Sequence, residues 1–444
     1  MPGLTARPGR CYVVCTEVPP DVVGGLGRYA ERMMSALRDL GVPVEVFGAV
    51  GRHRPAGTER IGGVTLHRLR TAGQTAEVHG TGRPRTPEAA GPPVRIAGPL
   101  VRIAGPLVRI AGPLVRIAGL LAFNVRVAAR ILRGGARSGA VVAVHDWMGC
   151  LAGILCRLLG RMPVVFHVHT CEHNAVPRAR RSAVAVGIAA LETAQARLAG
   201  LIVVPSAGMR DELTARGWPV GRLRVVPHGF EDPELVRLAG LPGADRDRLR
   251  SAVRRRYLPG GAGRLVVFAG RLSPHKGVHT LIRAVPAMLR ERDDLRIVLI
   301  GGRTPGTGDD AEVARLIEEE GVGGHVVAGY RFLDPPELFA HFLAADVCAF
   351  PSAYEPFGLV AVEAMALGRP VVVGPGYSPE VVGDGAIRCR TDSPEELAAA
   401  LSRCLDDPEV AAGLTRRGAA HVRARYSWAR TAETTLAAYA EVTR

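Results

Sequence analysis

The chain has 444 residues, 47% hydrophobic and 22% charged, with a formal net charge of +15. This length exceeds one ordinary core and suits two domains, and the composition excludes a disordered or fibrous chain. The basic surplus alone would point to nucleic acid, but the arginines are scattered, with no aromatic-interleaved basic run beyond short clusters such as Arg254 to Arg256, so a nucleic-acid binder is disfavoured.

The first residues, MPGLTARPGRCYVVC, lack a signal-peptide core, and no uninterrupted apolar run is long enough to span a bilayer. The eight cysteines make no C-x-x-C pair and no metal-ligand spacing with histidine, so neither disulfides nor a zinc site is expected and a reducing cytoplasm is the natural compartment. CYVVCTEV reads as a strand, followed by a loop with Gly24, Gly25 and Gly27 and a helix at about 27–40. Glycines there let backbone N–H groups approach a phosphate or sugar. They do not make the G-x-G-x-x-G dinucleotide fingerprint, which disfavours hydride transfer. VPVEVFGAV is the next strand.

From Val94 the unit VRIAGPL occurs three times in tandem, and a fourth copy begins at Val115 as VRIAGLL. Gly-Pro in each unit is expected to break a helix, which argues against a coiled coil despite the seven-residue period. Arginines recurring among Val, Ile and Leu suit an anionic membrane surface; a duplicated segment tolerated in a surface loop is the plainer reading. With the Gly-, Thr- and Pro-rich stretch before it, 72–119 is predicted to be a poorly ordered insertion.

AVVAVHDW, MPVVFHVHT and GLIVVPS continue as strands, with a helix at 182–198. The first sets His145, Asp146 and Trp147 at a strand end, suited to sugar hydroxyls and ring faces and equally to closing a loop. The second sends His167 and His169 to one face, His169 nearer the strand end and the better candidate for a cleft. The stretch 233–263 is the predicted linker. The pattern restarts with GRLVVFAGRL, DLRIVLIGG, HVVAGY, DVCAFPS and PVVVG, strands separated by helical stretches. Strand and helix alternating twice over predicts two parallel, doubly wound α/β domains, with ligands beyond the carboxyl ends of the strands.

In the second half, FAGRLSPHKG carries Arg271 and Lys276, the only lysine in the chain. An arginine and a lysine converging on a diphosphate supply charge-assisted hydrogen bonds without a metal. PSAYEPFGLVAVEAMALGRPVVVG sets Glu355 and Glu363 eight residues apart in an apolar segment. Gly358 to Leu367 reads as a buried helix, so Glu363 needs an internal partner or a polar ligand, and Glu355 sits beside the free N–H groups of the first turn.

These motifs resemble glycosyltransferase family 4, most closely its glycogen and starch synthase-like branch. EPFGLVAVEAMALGRPVV matches the family's E-x7-E, GRLSPHKG its G-R-L-x-x-x-K-G, GGLG its glycine loop, and VVPHGFE its V-I-P-N-G-V-D, with His228 in place of asparagine. The resemblance covers nearly the whole chain outside 72–119. It implies the GT-B fold, two facing Rossmann-like domains: 1–235 on the acceptor side, 236–415 for the nucleotide sugar, and a segment 416–444 crossing back to the first domain. It also implies a retaining hexosyl transfer from a UDP-, ADP- or GDP-sugar to a sugar, polyol, glycan or lipid hydroxyl, giving an α-glycoside, with no metal or other cofactor. An epimerase, a phosphorylase on the same fold, and a glycolipid-forming transferase peripheral at the inner membrane face remain alternatives. By the same resemblance His169 and Glu355 are catalytic. Gly25, Gly27, Arg271, Lys276, Phe357, Gly358, Leu359 and Glu363 hold the donor, and Asp146, Trp147, Tyr330 and Arg331 are candidate acceptor or base contacts.

Overall fold

The computed structural model describes residues 8–18, 25–51, 55–71, 100–134, 139–171, 183–302 and 309–443. Its first domain runs β1 (Arg10–Val14), α1 (Gly25–Asp39), β2 (Val44–Val50), β3 (Gly57–Ile61), β4 (Val64–Arg70), α2 (Leu100–Arg133), β5 (Ala140–His145), α3 (Cys150–Gly160), β6 (Val164–His167), α4 (Ala183–Leu198), β7 (Leu201–Val204), α5 (Ala207–Ala215) and β8 (Leu223–Val225). Among the described residues these strands make one eight-stranded sheet, ordered β3-β4-β2-β1-β5-β6-β7-β8. All its pairings are parallel except the β3–β4 hairpin. The central strands are buried on both faces, as their unbroken Val-rich runs require.

The second domain holds α6 (Pro233–Ala239), α7 (Gly243–Arg254), β9 (Arg264–Ala269), α8 (Val278–Leu289), β10 (Leu295–Ile300), α9 (Asp309–Glu319), β11 (Val326–Ala328), α10 (Pro335–Ala344), β12 (Val347–Phe350), α11 (Leu359–Ala366), β13 (Val371–Val373), α12 (Pro379–Val382), β14 (Ile387–Arg388), α13 (Pro394–Asp406) and α14 (Pro408–Arg425). Its parallel sheet is ordered β11-β10-β9-β12-β13-β14, and the order reverses beside β9, where β10 lies on one side and β12 on the other. Such a switch point opens a crevice for a ligand. A last helix, α15 (Trp428–Thr443), crosses to the first domain and buries Ala432, Ala438 and Tyr439 with α1 and the first sheet. The crossing begins only at Trp428. It requires Gly229, where a side chain would strike the Trp428 backbone.

Two expectations fail here. The stretch 233–263 is no linker: α6 and α7 pack Leu235, Leu238 and Val253 into the second domain's core. The repeat does not break the helix either, because α2 runs on through Gly105-Pro106 and Gly112-Pro113. Each proline forfeits one backbone bond and crowds the preceding turn. Phe123, Val127 and Ile131 bury the later turns of the same helix against the first sheet, packing on which a helix draws more than on propensity. The rest of the predicted insertion, 72–99, lies outside the described residues.

Candidate functional site

The two sheets meet at the carboxyl ends of their strands. After β9, the turn Ser273–Gly277 delivers Lys276, and Gly277 takes φ 73° with its α-carbon against the Pro351 carbonyl, where no side chain fits. The Ala353 N–H bonds the His275 carbonyl at 3.0 Å, so this turn and the loop after β12 are one unit. Lys276 Nζ donates to Glu355 Oε2 at 2.7 Å, and Ser352 Oγ lies 3.3 Å from the same oxygen. Arg271 is exposed, its guanidinium 3.3 Å from His275 Nε2. Burial and these two cations push His275 from its ordinary 6.5 down to about 4, which leaves the cationic charge here to Arg271 and Lys276.

Gly358 starts α11 in a left-handed conformation, φ 86°, with the Tyr377 ring where a side chain would go. Behind it Glu363 is buried, and the internal partner it needs comes from the other domain: Arg28 Nη1 donates to Glu363 Oε1 at 2.6 Å. Glu363 Oε2 has no partner, and burial raises this carboxyl above its usual range despite Arg28. Arg32 pairs with Asp232 at 2.6 Å beside it, and Gly25 faces Leu359. Arg28, Arg32, Gly229, Asp232, Leu359 and Glu363 are among the residues lining a narrow cavity between the domains. Gly27, its N–H 3.1 Å from the Glu17 carboxylate, lies on the same first turn of α1, while Gly24 is outside the described residues. The Cys171 N–H to the Tyr354 hydroxyl, 3.4 Å, and the Ala207 N–H to Glu380, 2.6 Å, are further bonds across the domains.

His169 follows β6 and belongs to a chain of imidazoles. His145 Nδ1 is 2.9 Å from His169 Nε2, and His169 Nδ1 is 3.3 Å from His228 Nε2. Tyr29 packs on all three rings, and His228 packs on Phe357 of the second domain at 4.9 Å between centroids. His167 instead turns to the Tyr439 hydroxyl, 2.8 Å away. Burial lowers His145 and His228 to about 3 and holds His167 and His169 well below 6.5, so all four are neutral at neutral pH. A neutral imidazole donates once and accepts once, so one tautomer along the chain sets the others. Nitrogens of His145, His167 and His169 lie within 4.8 Å of one another. Their rings, however, stack within 11–19° of parallel, which points the lone pairs along parallel planes rather than at one ion.

Asp146 and Trp147 stand at the end of β5. Asp146, at φ 53°, accepts the His169 and Thr170 N–H groups at 2.7 and 3.2 Å on one oxygen, so it closes the loop that carries His169. Burial raises its carboxyl to about 7. Trp147 packs against the core under α2 and α3. Tyr330 rests against the second core, and Arg331 pairs with Glu337 at 2.9 Å. Sequence reasoning missed Arg28, Asp232 and the His145–His169–His228 chain, contacts between residues 24 to 335 positions apart; the one signal was histidine standing at 228 where asparagine is usual.

Residues 23–232 match the model described as Glycosyltransferase Family 4, and residues 263–407 the one described as Glycosyl transferases group 1. A D-inositol 3-phosphate glycosyltransferase of Corynebacterium efficiens is 33% identical over 341 residues, covering 73% of this chain and 76% of its own. A glycogen synthase of Mycobacterium tuberculosis is 28% identical over 97% of this chain and 94% of its own. The catalytic domain of starch synthase IV from Arabidopsis thaliana, solved with ADP and acarbose, superposes with a TM-score of 0.70 at 16% identity, covering 98% of this chain and 99% of that one.

Proposed function

Since the chain belongs to glycosyltransferase family 4 and is an enzyme acting with nucleotide-sugar donors, we propose that it moves a hexose from such a donor to an acceptor hydroxyl with retention, forming an α-glycoside. The observation that carries this reading is the facing of Lys276–Glu355 and the half-satisfied Glu363 of one domain with Gly25, Gly27 and Arg28 of the other. Glu363 Oε2 is a buried acceptor without a donor, suited to a ribose hydroxyl. Glu355 and the N–H groups at Phe357 to Leu359 suit sugar hydroxyls, and Lys276 with Arg271 suits the diphosphate.

In the proposed reaction the bond from the anomeric carbon to the diphosphate breaks as negative charge grows on the departing oxygen beside Lys276 and Arg271. The acceptor oxygen bonds that carbon on the same face, and its proton passes to the departing phosphate oxygen. His169, neutral and held by Asp146 through its backbone, reaches the donor sugar by exchanging its 3.3 Å contact with His228 for a bond to a sugar hydroxyl. No metal or other cofactor enters this scheme. Lys276→Ala tests it: turnover should fall at least about tenfold, as for loss of one charge-stabilising contact, and the wild-type product should show α-linkage by proton NMR coupling. Unchanged turnover, or a donor epimerised without acceptor, contradicts it.

A further inference from the structure

The loop after β13 buries a hydroxyl, that of Tyr377, and gives it nothing to bond. This loop lies flat on the loop after β12, which carries Glu355. The Gly374 N–H bonds the Phe350 carbonyl at 3.0 Å, the Gly376 N–H bonds the Ser352 carbonyl at 2.9 Å, and Glu355 and Tyr377 pair as a parallel bridge. A side chain at Gly374 or Gly376 would strike the backbone of 351–354, so the two loops hold one another closely and fix where Tyr377 stands. Its ring, 1% exposed, fills the space beside Gly358, where a β-carbon would lie 2.8 Å from Tyr377 Oη. Oη thus rests against the start of α11, without a hydrogen-bond partner among the described residues. The other two tyrosines packed into this core are satisfied: Tyr426 Oη donates to the Glu380 carbonyl at 2.9 Å, and Tyr257 Oη is 2.8 Å from His341 Nε2.

Packing alone does not ask for this oxygen. Phe339, Phe342, Phe350 and Phe357 fill the same core with bare rings, and a buried O–H without an acceptor weakens a fold. Burial first, then Glu355 and Glu363, raise the Tyr377 hydroxyl well above its ordinary 10, so it keeps its proton and can donate. Neither carboxylate accepts that proton: Glu355 Oε2 takes Lys276, and Glu363 Oε1 takes Arg28. A donor set between two carboxylates and bonded to neither calls for an acceptor from outside the chain. Position selects which acceptor. In a nucleotide sugar the diphosphate is the part that joins the hexose to the ribose. With the hexose at Glu355 and the ribose at Glu363, the diphosphate spans the first turn of α11, where Oη stands with the free N–H groups of that turn. Phosphate oxygens only accept, and a hydroxyl bonded to a charged oxygen is among the stronger hydrogen bonds.

We propose that Tyr377 Oη donates a hydrogen bond to the diphosphate of the donor, a contact additional to Lys276 and Arg271. This rests on the nucleotide-sugar reading above and adds a residue to it. Tyr377→Phe removes the one oxygen and keeps the ring. Wild type and variant are titrated by calorimetry with UDP, ADP and GDP and with the matching nucleosides, and the ligand-free proteins are unfolded in urea. The nucleoside diphosphate that binds wild type should bind the variant about tenfold more weakly, while the matching nucleoside binds both alike. The urea midpoint of the variant should equal or exceed that of wild type, because an unsatisfied buried hydroxyl is gone. Weaker binding without weaker folding is a result that a packing role for the hydroxyl does not give. Equal diphosphate affinity in the two proteins overturns the contact and leaves the donor reading standing. An equal loss for diphosphate and nucleoside, or a lowered urea midpoint, overturns the contact as well. Failure of wild type to bind any of the three diphosphates overturns the donor reading and the contact with it.

Discussion

Acid should unfold this protein through its buried histidines, a loss that protonation of the buried Asp146, whose carboxyl is raised to about 7, offsets only in part. His145 and His228 fall from the ordinary 6.5 to about 3 on folding, and burial is the leading cause for each. A group with a depressed folded pKa contributes stability that is complete above its unfolded value and is lost as pH falls toward the folded one. The window here is therefore pH 6.5 down to about 3, in which the unfolded chain binds protons that the folded chain refuses. At about 1.4 kcal/mol per pH unit, two units below 6.5 remove roughly 3 kcal/mol for each histidine, or about 5 for this pair. That is comparable to the whole stability of a typical domain, roughly 5–15 kcal/mol. Melting temperature should therefore drop steeply between pH 7 and 4.5, as followed by differential scanning fluorimetry. His228→Asn, which places at that position the asparagine usual in the family, should flatten the decline by about a quarter to a third, because one of the four buried histidines that refuse protons is gone. A His228→Asn decline parallel to wild type would refute the reasoning.

Two further predictions concern the meeting of the domains. Arg28→Ala strands Glu363, a loss on the order of 3 kcal/mol for breaking a buried pair. Because the folded carboxyl is already raised, the deficit should widen as pH climbs from about 4 through its folded pKa; melts at pH 4.5 and 7.5 that run parallel to wild type would count against it. Gly358→Ala forces a side chain into a left-handed conformation and into the Tyr377 ring, so urea denaturation should show a loss above about 2 kcal/mol. An unchanged midpoint would mean that α11 starts differently.

The fold was largely legible because its strands are buried runs of Val and Ile that alternate with helices, a pattern visible one residue at a time. The β3–β4 hairpin was not, since the GTERI strand is exposed along its length and carries no apolar alternation. The α2 helix was misread from Gly-Pro alone, a local penalty that burial of Phe123, Val127 and Ile131 outweighs further along the same helix. Within the site, Glu363 announced itself as a buried carboxylate needing company, and the company came from Arg28, 335 positions away. Nothing in the spacing of GRYAERM ties it to that glutamate. Asp146 had two open readings as a polar group at a strand end, and only its bonds to the His169 and Thr170 backbone decide that it shapes the loop.

The central claim, that Glu363 and its surroundings hold the ribose of a nucleotide-sugar donor, is tested most directly by thermal-shift titration with UDP, ADP and GDP on wild type and Glu363→Gln. The account predicts a saturable rise for one nucleotide in the wild type. It also predicts affinity at least about tenfold weaker in the variant, the loss of one charge-assisted hydrogen bond. Wild-type affinity in the Glu363→Gln protein would contradict it.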